Sequence, residues 1–175
     1  ALDRVVAWVG TDPDVVFDKY EKGEIHWTGH SSGLLPLAKI EDFAKRDDAH
    51  STPRMGTAWY ALNTGEPPFS DERVRRALSV ALDREALTAV AGPAAARAKA
   101  LIPGGISSYR GVAEWKHNPD EARRLLSEAG YPDGVGFPAV ELAVDERNIH
   151  KKVAEYVVET WKKELGIEAK PFHRA

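Results

Sequence analysis

The chain has no cysteine and one methionine, and no apolar run in it approaches the roughly 20 residues that cross a bilayer as a helix. Disulfide staples are therefore excluded, although exported and cytosolic chains alike can do without cysteine, so its absence does not fix the compartment. Basic blocks are lacking as well: 24 lysines and arginines stand against 27 acidic residues for a net charge of −3, and the basic residues are scattered, which argues against nucleic acid as a partner. The N-terminus has neither the charged nor the apolar region of a signal peptide, so the sequence reads as a soluble piece, either mature or excised. No internal repeat or low-complexity tract occurs. Gly134-Val135-Gly136 lacks the third glycine and following helix of a dinucleotide fingerprint, and no serine sits in a nucleophile-elbow motif.

What is present is a globular composition of 175 residues, 43% hydrophobic and 29% charged, enough for one well-cored domain or for a large and a small lobe. Residues 4–9 are apolar and β-branched enough for a strand. Thr11-Asp12-Pro13 then reads as a cap with proline at the first helical position, and the helix runs to about Lys22, where Gly23 ends it. Residues 24–28 read as the next strand, which gives a β-α-β unit, and residues 34–46 place Leu37, Ile40, Phe43 and Ala44 on one side of a second helix. Residues 51–63 are expected to be extended.

Clear punctuation follows. Pro67 and Pro68 cannot sit within a sheet ladder, so the strand ending near Asn63 must stop there. Ser70 is expected to cap the next helix, with Asp71 and Glu72 at its positive end. Val74, Ala77, Leu78, Ala81 and Leu82 form its apolar stripe, with Arg73, Arg75 and Arg76 off it. Asp83 caps a further helix closed by Gly92-Pro93, and residues 99–102 suggest a short strand. Asn118-Pro119 with Glu121 starts a helix with Ala122, Leu125, Leu126 and Ala129 inward. A strand over residues 139–144, a long helix over about 147–165 and a last strand over 167–172 complete an α/β class, a mixed sheet with flanking helices. The long helix puts Ile149, Val153, Tyr156, Val157 and Trp161 on one face.

Three segments, taken in this order and spacing, carry a resemblance. They are residues 62–87 around Pro67-Pro68-Phe69-Ser70-Asp71, residues 118–134 ending in Gly130-Tyr131-Pro132-Asp133-Gly134, and residues 150–167 from His150-Lys151-Lys152 to Leu165-Gly166-Ile167. The chain resembles, from about Leu2 to Lys170, the extracellular solute-binding proteins of ABC transporters, specifically the oligopeptide- and dipeptide-binding family 5. The resemblance implies part of a two-lobed, periplasmic-binding-protein-like fold. Residues 1–54 would belong to the lobe bearing the termini, and residues 55–175 to a second lobe whose C-terminal continuation is missing. It implies capture of a peptide or similar small solute, delivery to membrane-embedded permease subunits, no cofactor, no catalysis, and a periplasmic or extracellular location, with a lipid anchor as one form of the full-length protein.

The same resemblance nominates site residues. Trp27, Thr28, Gly29 and His30 occupy the place where the family's loop reaches the cleft, although His26 stands where relatives carry an acidic residue; a surface loop is the alternative. His26 and His30 have a helical metal spacing but lie on a strand end and loop, so no metal is expected. His150 matches a histidine that faces the cleft in oligopeptide-binding relatives and helps to hold a peptide carboxylate; otherwise it is a solvated residue at a helix start. Tyr60 and Asn63 offer a ring and an amide to a peptide backbone, with core burial the other reading for Tyr60. The paired carboxylates Asp120-Glu121 and Asp145-Glu146 sit where helix caps need negative charge. Two other functions stay open, a sensor domain of an intracellular regulator and a small hydrolase.

Overall fold

The computed structural model describes residues 3–10, 12–28, 35–50, 55–92, 95–103, 106, 109, 111, 116–144 and 148–173. The chain divides into two compact units, Ala1–Arg54 and Met55–Ala175.

In Ala1–Arg54, helix α1 (Pro13–Glu21) begins where Asp12 accepts hydrogen bonds from the Asp14 and Val15 amides and Pro13 takes the first turn. A 3-10 turn (Leu37–Lys39) leads into α2 (Ile40–Phe43), shorter than the helix expected over 34–46. The small core is aromatic. Phe43 packs edge-on to Phe17 and Tyr20, each at 5.9 Å between ring centroids, and Val16 and Phe17 are buried. Arg46 lies over the Tyr20 and Phe43 rings and binds both Glu21 and Asp48, while the Tyr20 hydroxyl donates to Asp48 at 2.5 Å.

This polar clasp gives a pH prediction. The Arg46 guanidinium and then the Tyr20 hydroxyl pull the Asp48 carboxyl down to about 2. The hydrogen bond to Asp48 raises the Tyr20 phenol above its ordinary value. A depressed carboxylate contributes stability above its unfolded value of about 3.9, lost as the pH falls toward 2; a raised phenol contributes below about 10, lost as the pH rises beyond it. The ring signals of Tyr20 and Phe43 in NMR spectra are therefore expected to hold from pH 5 to 9 and to shift at both extremes. A Tyr20 titration centred at an unperturbed phenol value would contradict the clasp.

The strands expected over 4–9 and 24–28 do not form, and with them goes the expected β-α-β unit. Val5, Val6 and Val9 stand 79%, 73% and 91% exposed, because a strand is stabilised by its neighbours and no partner strand lies beside this segment among the described residues.

Met55–Ala175 holds the larger core. After the extended segment 55–63 and a turn containing a cis Pro67–Pro68 bond, α3 (Glu72–Val80) starts at Asp71, whose side chain accepts from the Arg73 amide. The cap is thus Asp71 and not Ser70. Helix α4 (Arg84–Ala91) is capped by Asp83 and α5 (Pro119–Glu128) by Asn118. Strand β1 (Val140–Val144), helix α6 (Asn148–Leu165) and β2 (Ala169–His173) form one β-α-β unit, the two strands parallel with Val140 opposite Ala169 and Val144 opposite His173. The short strand expected at 99–102 is a bend, with Leu101 and Ile102 exposed.

The predicted stripes meet in the middle of this unit. Val74, Ala77, Leu78 and Ala81 pack with Ala122, Leu125 and Leu126, and both sets meet Val157 and Trp161 of the expected α6 face together with Ala154 and Leu165, which that face left out, beneath Leu142 and Val144. Val153 and Tyr156 of that face are only partly buried. Burying each large side chain contributes roughly 1.5–3 kcal/mol. The backbone adds ties: the Asn118 amide donates to the Val80 carbonyl at 2.9 Å, and Arg73 reaches the Glu128 carbonyl at the end of α5. Trp161 Nε1 donates to the Leu78 carbonyl at 3.0 Å inside the core. Gly166, which closes α6, meets the 3-10 turn Pro132–Gly134 backbone to backbone.

Candidate functional site

Period-2 alternation decides what segment 55–63 presents. Trp59, Ala61 and Asn63 are exposed, whereas Tyr60 and Leu62 turn inward against the core, and burial pushes the Tyr60 phenol up from its ordinary value. Tyr60 is thus half-buried packing surface. Asn63 Oδ1 accepts from the Gly65 amide at 3.2 Å, an Asx turn that leaves the carboxamide donors as what the group can offer outward.

Asn63 also lines an open groove of about 780 Å³ at the starts of β1 and β2, with Glu66, Glu141, Glu168 and Lys170 around it. Its wall carries three carboxylates and one ammonium, and Lys162 pairs with Glu168 at 3.0 Å. Sequence reasoning did not gather these charges. Glu141 follows from the outward phase of β1, but its neighbours come from segments far apart in the chain and meet only through the parallel register.

His150 stands half-buried in the first turn of α6, past the far end of β1. His150 is not among the residues that line the Asn63 groove. A cation or hydrogen-bond donor at a helix N-terminus sits where the backbone amides already favour an anion.

In the N-terminal unit Trp27 is 77% exposed and Thr28 half-buried; the Thr28 hydroxyl is shielded from solvent without a hydrogen-bond partner among the described residues. Gly29 and His30 lie outside the described residues. His26 is exposed, and among the described residues no three histidine, aspartate or glutamate side chains gather as a metal would need.

A second hollow of about 340 Å³ lies between Asp83, His117, Tyr156, Glu159 and Lys163. Its polar groups are largely committed to structure. Asp83 caps α4, and the neighbouring Glu164 is held below the usual carboxylate range by Lys163 and then by Arg123, which also reaches the Glu164 carbonyl. This hollow is scaffold.

The chain matches, over residues 1–171, the family described as bacterial extracellular solute-binding proteins, family 5, middle portion. It is 30% identical over 167 residues to the periplasmic oligopeptide-binding protein OppA of Escherichia coli, covering 87% of this chain and 29% of that protein. It is 28% identical over 179 residues to heme-binding protein A of Haemophilus influenzae, covering 97% of this chain and 31% of that protein. Among solved structures, OppA of Haemophilus influenzae in complex with the peptide RPPGFSPFR superposes with a TM-score of 0.74 at 26% identity, covering 93% of this chain and 33% of that one. The chain therefore spans about three-tenths of the length of the curated relatives it matches. The α/β class read from the sequence is the class of these periplasmic peptide-binding structures. The match over nearly every residue, the likeness in fold and the capped-helix segments agree: this chain belongs to family 5 of the bacterial extracellular solute-binding proteins.

Proposed function

We propose that the protein carrying this chain captures short peptides, or a solute of similar size, outside the cytoplasm and delivers them to the permease subunits of an ABC transporter. The observation that carries this reading is family membership over residues 1–171, with an oligopeptide-binding relative at 30% identity. In this reading the protein acts by binding and not by catalysis. Residues 1–54 belong to one lobe and 55–175 to the other, and the export route ends in a free periplasmic or a lipid-anchored form. The heme-binding relative supports leaving the ligand class wider than peptides, since one scaffold of this family has a name for a quite different cargo.

The proposed contacts are Trp27, Thr28, Gly29 and His30 on the first-unit loop, Tyr60 and Asn63 on the extended segment, and His150. Of these, His150 has the clearest chemistry, a donor for a peptide carboxylate at the start of α6. Tyr60 contributes through a ring already half engaged in the core.

Calorimetric titration with a mixture of di- to pentapeptides tests the function. The intact protein should bind in the micromolar range or tighter, and the 175-residue chain alone weakly or not at all. An intact protein that takes no peptide from the mixture, and retains none in native mass spectrometry after purification from its source, would remove the peptide reading. Replacing His150 by alanine in the intact protein should weaken binding of a trialanine probe about tenfold, some 1.4 kcal/mol, while C-terminally amidated trialanine loses little. Equal losses for both probes would show that His150 does not hold the carboxylate.

A further inference from the structure

No further inference is drawn: the strongest candidate, the exposed apolar patch at Trp59 on segment 55–63, carries nothing because nothing in the structure shows what covers it.

Discussion

Replacing Trp161 by alanine should leave Met55–Ala175 without a cooperative unfolding transition at room temperature. The indole is 4% exposed and sits where α3, α5 and α6 converge, so its removal opens a cavity costing about 3–5 kcal/mol. The Leu78 carbonyl, which accepts from Trp161 Nε1, would be stranded in the core for about 1–3 kcal/mol more. Set against the roughly 5–15 kcal/mol that holds a typical domain folded, the sum reaches the whole margin of a modest one. Trp161→Phe separates the two contributions, since it keeps most of the apolar volume and loses the donor. Urea denaturation followed by far-ultraviolet circular dichroism should show an intermediate midpoint for phenylalanine and no sigmoidal transition for alanine. If phenylalanine were as damaging as alanine, the carbonyl contact and not the cavity would dominate; an unchanged midpoint for alanine would show that the three helices do not meet on this side chain.

The second large effect is expected at two glycines that touch through bare backbone. A Cβ on Gly166 would lie 2.1 Å from the Asp133 carbonyl oxygen, and one on Gly134 would lie 2.5 Å from the Gly166 oxygen. Both residues also have positive φ, 68° and 77°. Alanine at either position thus combines a left-handed backbone, about 1–2 kcal/mol, with a clash against main chain that cannot rotate away, about 1–3 kcal/mol. Each single variant should lose about 2–5 kcal/mol in chemical denaturation. Because both substitutions open the same contact, the double variant should cost less than the sum of the singles. Strict additivity would mean that the turn and the α6 corner yield independently, contrary to the close approach seen here.

The parts of the fold that could be read from the chain are those decided within a few residues. Asp83 and Asn118 announce their helices because an N-cap needs only its own side chain and the next two or three amides. The stripes of α3, α5 and α6 are legible for the same reason, since a 3.6-residue period fixes one face without knowledge of its partner. Residues 4–9 failed because a strand is a property of its neighbours, and apolar, β-branched sequence supplies only the willingness to pair. Ser70 and Asp71 illustrate a finer limit: both can cap, and which one does depends on where the preceding Pro-Pro turn delivers the chain. At the candidate site, the side to which Tyr60 turns rests on the phase of alternation, which composition cannot set and which packing against the core shows as half inward. The charges around Asn63 were illegible because residues 66, 141, 168 and 170 become neighbours only after β1 and β2 align.

The contact between Trp161 and the Leu78 carbonyl joins positions 83 apart in sequence, which makes the order of synthesis matter. Closing a flexible loop of that length costs about 4 kcal/mol in chain entropy before the core returns anything. At about 5–20 residues per second, Leu78 leaves the ribosome roughly 4–17 s ahead of Trp161, with α5 arriving in between. Through that interval α5 is available to cover Val74, Ala77 and Leu78, and the part of that stripe which α6 shields waits for the last of the three helices.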